Sequence, residues 1–382
     1  MVVDQKPVLQ TIKTLLPMAC DGVGPSFTCL QLCRGIDRAG QKVEVFAIRR
    51  RTVTPRLPLH LAFPGPLNFL PFQKVARNGQ KWIEQRYLSS IREGDIAYCW
   101  PAASLETHQI LHARGIPIVL EGINTRMSSA KRILDDAYAA FDVQPAHSIT
   151  EARIAEEEAK FQLASAIFAP SQAVEAALKD SPIMHGIFAS SYGVDTSRGS
   201  SERDYRSTGR PLTFMFCGYA GVRKGIHHLL NAWQHVPSPH RLRIVGRIEP
   251  LIAERYRDIL ASDRVELAGF VKNVHAQFAK ADVFIMPSLE EGDPLVTYEA
   301  ALHGLPIIAS PMGAGRMGDV SGVMITVDPG DVEGLARALT DLAVSDERRA
   351  ELGIASRKLA LTFDWDEVGK KRTTLLYDRF GN

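Results

Sequence analysis

The stretch LTFMFCGYAGVRKGIHHLLNAWQHV, residues 212–236, begins as a short apolar run, turns through Gly218 and Gly221, and continues with apolar residues at helical spacing from Lys224. A glycine-bounded apolar run followed by a helix is the first half of a βαβ unit. The alternation continues downstream. LRIVG (242–246), RVELAG (264–269), DVFIMPS (282–288), PIIAS (306–310) and VMITV (323–327) read as strands. VHAQFAKA (274–281) and PLVTYEAALHG (294–304) read as helices between them, and two more helices follow over Val332–Val344 and Glu347–Leu361. Strands that alternate with helices imply an α/β unit on a mostly parallel sheet.

Upstream the same pattern occurs once more. VLQTIKTLL (8–16) reads as a strand, CDGVGPS (20–26) as a turn, Phe27–Arg38 as a helix and KVEVFAI (42–48) as the next strand. DIAYCW (95–100), IPIVLEG (116–122) and SAIFAPS (165–171) read as further buried strands, the last after the helix EARIAEEEAKFQLA (151–164). The polar run DTSRGSSERDYRSTGRP (195–211) has the composition of an inter-domain linker. WDEVGKKRTTLLYDRF (365–380) reads as a closing amphipathic helix. The expected architecture is α/β, with two Rossmann-like domains facing across a cleft. The first covers residues 1–194 plus 363–382 and the second covers 205–362.

A chain of 382 residues suits two domains, and 45% hydrophobic with 23% charged residues is ordinary for a globular protein with a normal core. Net charge is +2, unevenly spread: residues 1–132 hold 18 basic and 9 acidic side chains, the remainder 27 and 34. That asymmetry reads as a basic face on the first domain or as an uneven scatter of solvated charge. The cysteines, Cys20, Cys29, Cys33, Cys99 and Cys217, are odd in number and lack a Cys-x-x-Cys. A reducing compartment follows, and Cys29 and Cys33, four apart on a helix, read as buried apolar residues. Asp4, Lys6 and Lys13 break the N-terminal apolar pattern, which excludes a signal peptide, and no apolar run approaches the roughly 18 residues that span a bilayer. The expected location is cytoplasmic, or peripheral on the cytosolic face of a membrane. The histidines lack metal-ligand spacing, and Asp364-Trp365-Asp366 sits where acidic residues favour a helix start, so no metal is expected. No nucleic-acid partner is expected either.

Two constellations carry chemistry. In FCGYAGVRKGIHHLL (216–230), Gly218 and Gly221 bracket a strand-to-helix turn, with Arg223, Lys224 and Gly225 at the helix start. A helix N-terminus with added cations suits a diphosphate that gains charge as it leaves; the same glycines also serve any tight turn. In PSLEEGDPLVTYEAALHGLPIIAS (287–310), Glu291 lies in the loop after a strand, Pro294 opens a helix and Glu299 lies inside it. Such a helix points at the crevice outside the strand C-termini, where α/β folds bind ligands. A carboxylate on the helix can accept ribose hydroxyls and one in the loop can reach a transferred sugar; two solvated glutamates favoured by the helix dipole would give the same pattern.

Together these blocks resemble the family 4 retaining glycosyltransferases, the glycosyltransferase group 1 of GT-B architecture, over nearly the whole chain. The resemblance rests on Gly218-x₅-Lys224-Gly225, on Ile244-Val245-Gly246, on Gly269-Phe270, and on Pro287, Ser288, Glu291, Gly292, Glu299 and Ala300. Gly304, Pro306, Ile308–Ser310, Ser171, Gly193–Asp195 and the final helix extend it. It implies a nucleotide-sugar donor (UDP-, GDP- or ADP-linked), a hydroxyl acceptor, saccharide or lipid-linked, and transfer with retention of anomeric configuration in glycoconjugate or polysaccharide synthesis. By that resemblance Glu291, Arg223 and Lys224 are catalytic, Lys224 neutralising the diphosphate. Gly24, Gly218, Phe270, Asp293, Leu295, Val296 and Glu299 bind the donor, Glu299 through the ribose. No side chain presents itself as a covalent nucleophile, and the resemblance implies that the leaving diphosphate takes the acceptor proton.

The chain departs from the family pattern at three places. Tyr219 stands where the family has Arg, and Arg223 is expected to supply that charge. Asp293 stands where an aromatic is common. A histidine near the reacting carbon has no match in VLEGINTR (119–126), where Glu121 or Asn124 would take its place. Rival readings are a nucleotide-sugar epimerase and a non-catalytic nucleotide-sugar binder. LNFLPFQKVARNGQKWIEQRYLSSI (67–91) sets Phe69, Leu70, Phe72 and Trp82 near Lys74, Arg77, Lys81 and Arg86. It suits contact with an anionic membrane, or a surface helix packed on its own domain, with Gly79 interrupting one continuous helix.

Overall fold

The structure, a computed structural model, describes residues 11–51, 57–63, 72–199, 203–207 and 209–381. The first domain alternates β1 (Ile12–Cys20), α1 (Pro25–Arg38), β2 (Val43–Arg50), β3 (Leu59–Leu61), α2 (Phe72–Ser90), β4 (Ile96–Cys99), α3 (Leu105–Ala113), β5 (Ile118–Glu121), α4 (Met127–Ala139), α5 (Glu151–Leu163), β6 (Ala166–Ala169), α6 (Gln172–Leu178) and β7 (Ile187–Ala189). Its strands form one parallel sheet in the order β3-β2-β1-β4-β5-β6-β7. β1 is buried on both faces, as a central parallel strand must be: Leu16 packs with α1 and Leu15 with α2 and α3 on the opposite face.

The second domain runs β8 (Thr213–Cys217), α7 (Ile226–Trp233), β9 (Arg241–Val245), α8 (Pro250–Arg255), α9 (Arg257–Leu260), β10 (Val265–Gly269), α10 (His275–Phe278), β11 (Val283–Met286), α11 (Leu295–Leu302), β12 (Ile307–Ala309), α12 (Pro311–Ala314), β13 (Ile325–Thr326), α13 (Val332–Val344) and α14 (Asp346–Ala360). Its parallel sheet has the order β10-β9-β8-β11-β12-β13 around a single core. α15 (Trp365–Phe380) then returns to the first domain, where Trp365, Val368 and Leu376 join the core beneath α1. The two Rossmann-like domains read from the sequence are present.

Differences from the sequence reading have local causes. β1 continues through Pro17 to Cys20 instead of ending at Leu16, because its pairing with β2 shifts register between Leu16 and Ala19. A proline without an N–H is accommodated at such a shift. β3 and β7 are three-residue strands, too short to leave a pattern. α2 is continuous through Gly79, which packs so closely on Ile48 and Phe63 that a side chain would overlap them. Its inner face, with Ile83 and Tyr87, is covered by its own sheet, while Trp82 is about half exposed. Phe69, Leu70 and the side chains of Phe72, Lys74 and Arg77 lie outside the described residues. Among the described residues no helix is long and apolar enough to cross a membrane.

The polar segment before β8 is more than a tether. The Arg203 guanidinium donates to the carbonyls of His303, Phe278 and Ala281. The Arg349 guanidinium, fully buried, donates to the carbonyl of Tyr205. Asp364 caps α15 by accepting from the Asp366 amide at 3.0 Å, and Asp366 pairs with Arg38 at 2.8 Å, so this Asp-x-Asp is structural.

Candidate functional site

In each sheet one strand is flanked by its sequence successor on one side and by a later strand on the other. β1 lies between β2 and β4, and β8 between β9 and β11. Loops leave these strands in opposite directions, which opens a crevice at their C-terminal ends. Residues 218–225 after β8 and 287–294 after β11 line the crevice on the second domain, and residues 122–126 after β5 face them from the first.

The β8 loop is set by backbone geometry. Gly225 (φ +65°) starts α7 in a left-handed conformation, and any side chain there would overlap the Pro287 carbonyl. The Leu289 amide donates to the Arg223 carbonyl at 2.9 Å, joining the two loops. Lys224 and Glu291, separate in sequence, are thereby brought into direct ion-pair contact. Burial, with Arg223 beside it, pushes the Lys224 ammonium down to about 7, while the nearby Glu290 and Cys217 act against that. At Gly218 (φ +147°) a Cβ would lie in van der Waals contact with the Lys224 and Phe216 side chains, each at 3.9 Å.

The carboxylate of Glu299, on the second turn of α11, has no hydrogen bond or ion pair among the described residues. Burial pushes its carboxyl up to about 7, and its charge is felt by Cys217 at the end of β8. An unpaired carboxylate held in a crevice is a binding-site feature. Phe270, which follows Gly269 at the end of β10, is 75% exposed. Gly24 (φ +54°) precedes α1 with open space around it. Val296 packs on the second-domain core, whereas Leu295 packs against the first-domain core. Pro294 is the residue before α11 and not inside its first turn.

Three sequence assignments need correction. Asp293 does not face a sugar pocket. It is buried, and its two oxygens accept from the Tyr192 amide (2.8 Å), the Tyr298 hydroxyl (2.8 Å) and the Arg316 amide (3.0 Å). With both oxygens filled it ties the end of the first domain to the second, and burial pushes its carboxyl up to about 6. Glu121 is equally unavailable, because it forms a fully buried pair with Arg372 of α15 at 2.7 and 3.0 Å. Arg223 is not a free cation waiting for phosphate. Its Nε donates to Glu290 at 2.7 Å and its Nη2 to Asn124 of the first domain at 3.0 Å. Asn124 therefore does lie in the crevice. Tyr219 is half exposed at its rim.

Sequence reasoning marked Ser171 and Gly292 through the family resemblance but missed Glu290, Thr125 and Arg316, which also hold the domains together. Glu290, 2% exposed, accepts from the Thr125 amide (3.1 Å) and hydroxyl (2.7 Å). The Ser171 hydroxyl donates to the Gly292 carbonyl at 2.6 Å, and a side chain on Gly292 would overlap the Ile123 carbonyl. Arg316 donates to the first-domain carbonyls of Ser190 (2.7 Å) and Ala169 (3.0 Å) and pairs with Glu175. Among the described residues no group of three or more His, Cys, Asp or Glu gathers as a metal site.

Residues 211–345 match the family "Glycosyl transferases group 1". The matched segment holds both loops of the crevice. A D-inositol 3-phosphate glycosyltransferase from Xylanimonas cellulosilytica is 33% identical over 165 residues, 40% of this chain and 39% of that protein. The similarity thus spans about two fifths of that relative's length. In three dimensions the likeness covers almost everything. Sucrose-phosphate synthase from Thermosynechococcus elongatus superposes with TM-score 0.72 at 19% identity, over 97% of this chain and 99% of that one. Anabaena Alr3699/HepE, in complex with UDP and glucose, superposes with TM-score 0.67 at 16% identity, over 97% and 100%. At such identities the likeness establishes the shared two-domain fold.

Proposed function

We propose that the chain is a glycosyltransferase that moves a hexose-like sugar from a nucleoside diphosphate to a hydroxyl acceptor, with retention at the anomeric carbon and without a bound metal. One observation carries this reading: Lys224, Glu291 and the unpartnered Glu299 converge on the C-terminal ends of β8 and β11. Each group has a task in such a transfer. Glu299 accepts the ribose hydroxyls, Lys224 meets the diphosphate, and Glu291, which lies against Lys224, serves the donor sugar. Phe270 offers an exposed ring to the base. The group 1 match over 211–345 and the UDP and glucose held by the Anabaena neighbour support a nucleotide-sugar donor here.

In this mechanism the bond from the anomeric carbon to the diphosphate oxygen breaks while the acceptor oxygen bonds to the same face of that carbon. The acceptor proton passes to the departing diphosphate, whose growing charge Lys224 stabilises. Arg223 contributes through its ties to Glu290 and Asn124, which fix the loop and the facing domain. The acceptor is a saccharide or a lipid-linked hydroxyl compound.

The test is a thermal-shift panel of UDP-, GDP- and ADP-glucose with the purified chain, followed by assay of nucleoside diphosphate release. At least one donor raises the melting temperature and is turned over. If none binds, the proposal fails; an epimerised nucleotide sugar formed without acceptor would support the epimerase reading instead.

A further inference from the structure

Lys224 ends a single helical turn, Val222–Lys224, and that turn is held from behind by a carboxylate with no task in the transfer. Glu249 follows β9 and stands just before α8, the position from which an acidic side chain ordinarily caps its own helix. It makes no such cap. One oxygen of its buried carboxylate instead accepts from the Val222 amide at 2.8 Å. The other accepts from the Tyr138 hydroxyl of α4, in the first domain, at 2.7 Å. The backbone runs the same way: the Glu249 amide donates to the Ala220 carbonyl at 3.1 Å, and the Ala220 amide to the Arg247 carbonyl at 2.8 Å. A side chain on Gly221 would overlap the Glu249 carboxylate, so that glycine leaves the space the carboxylate fills.

Tyr138 belongs to the first domain by sequence and to the second by packing. It sits in the second-domain core, against which Ile133, Ala137 and Phe141 also pack. The Phe141 ring meets His227 of α7 edge-on at 5.2 Å, and the Arg255 guanidinium of α8 donates to the Phe141 carbonyl at 2.9 Å. Burial and the facing Glu249 push the Tyr138 hydroxyl above its ordinary value, so it stays a neutral donor near pH 7. Asn124, just ahead of α4, binds Arg223 at 3.0 Å. The Lys224 turn is therefore gripped twice along one helix: at Arg223 from the start of α4, and at Val222, through Glu249, from its end.

The two grips differ in strength. The bond between Asn124 and Arg223 lies in the open crevice, where water can replace either partner. The bonds from Val222 and Tyr138 to Glu249 are buried, so breaking one strands a donor or an acceptor away from water. A carboxylate also has the wrong sign to receive a diphosphate. With one oxygen taken by an N–H and the other by an O–H, Glu249 serves the shape of the turn and not a ligand.

We propose that Tyr138 and Glu249 are positioning residues for the transfer: the docking of α4 sets the Val222–Lys224 turn through the Glu249 carboxylate, so that the Lys224 ammonium stands where the diphosphate departs. The departing diphosphate belongs to the glycosyltransferase reading, on which this role rests; the coupling of α4 to the turn is testable alone. Tyr138→Phe keeps the ring and removes the hydroxyl. Glu249→Ala removes both acceptors, whereas Glu249→Gln keeps an oxygen for Val222 and offers an N–H to the Tyr138 oxygen. On the full chain, hydrogen–deuterium exchange over residues 218–225 is measured beside nucleoside diphosphate release from whichever of UDP-, GDP- and ADP-glucose the parent turns over. Tyr138→Phe should exchange faster over 218–225 and lose roughly tenfold in kcat, with donor Kd changed by less than about threefold. Glu249→Ala should lose more, and Glu249→Gln should recover most of that loss. Circular dichroism establishes that each variant is folded, and a Glu249→Ala chain that is not leaves the other two variants to decide. Exchange unchanged in Tyr138→Phe, faster exchange with kcat intact, or a Glu249→Gln chain as impaired as Glu249→Ala overturns the proposal. A parent that turns over none of the three donors defeats the glycosyltransferase reading, and the exchange result then still decides whether α4 sets the turn.

Discussion

Glu290 of the second domain accepts both the backbone amide and the hydroxyl of Thr125 from the first, while its other oxygen holds Arg223. One buried carboxylate therefore links domain closure to the loop that carries Lys224. Glu290→Ala leaves the Thr125 donors and the Arg223 charge unmatched, so the closed arrangement loses roughly 2–4 kcal/mol. Turnover should drop by tenfold or more, and small-angle scattering should show a more open molecule. An unchanged scattering profile together with unchanged turnover would remove Glu290 from this role.

Lys224→Ala should lower turnover more than donor affinity, because the diphosphate charge it meets is larger in the transition state than in the bound donor. A loss of roughly a hundredfold or more in kcat, against a few-fold change in donor Kd, is expected. Arg223→Ala behaves differently. Paired with Glu290 and Asn124, it should resemble Glu290→Ala in opening the molecule. Equal losses of affinity, with kcat intact, would show that Lys224 serves only the ground state.

The reaction should survive a strong chelator. In the proposed reaction the positive charge at the diphosphate comes from Lys224 and the helix-start amides of the β8 loop. Activity abolished by EDTA and restored by Mg²⁺ or Mn²⁺ would contradict this.

How legible was all this beforehand? The two parallel sheets followed from strand-helix alternation, since parallel strands need crossovers and crossovers need helices. The pairing of the β8 and β11 loops followed from their glycines and glutamates. Contacts between domains were not legible, because nothing local marks them. Asp293 and Glu291 look alike in sequence, yet one is filled by Tyr192, Tyr298 and Arg316 and the other meets Lys224. The same holds for Glu121, whose partner lies 251 residues away on α15.

Glu299 makes a pH-dependent prediction. Burial raises its folded-state value from 4.5 to about 7, so between those two pH values the native state binds more protons than the unfolded one. Stability is then highest below about pH 4.5 and is lost as pH rises toward 7. Glu299→Gln should remove that decline, raising the melting temperature at pH 8 relative to the parent but not at pH 4.5. Donor affinity should move the opposite way. The ionised carboxylate is the stronger ribose acceptor, so binding should weaken below about pH 7 in the parent and be weak at every pH in Glu299→Ala. A donor affinity indifferent to both pH and substitution would exclude Glu299 from the site.

Arg372 and Glu121 permit a cleaner energetic test. Arg372 crosses from α15 into the first-domain core, fully buried, and its guanidinium meets Glu121 in a two-pronged pair and also bonds the Ser191 carbonyl at 3.1 Å. Its carbon lies 4.4 Å above the Phe168 ring. Removing either charge strands the other in a low-dielectric interior, which costs about 3–5 kcal/mol. Removing both and filling the space with apolar groups costs far less, because the desolvation penalty disappears along with the attraction. Urea unfolding should therefore show Arg372→Met and Glu121→Leu each strongly destabilised, with the double variant close to the parent. Because Ser190 and Ser191 lead into the Tyr192 amide held by Asp293, the single variants should also lose turnover through loosened closure. Single variants as stable as the parent, or a double variant whose loss equals the sum of the two, would show that the pair does not anchor α15 in the way its geometry implies.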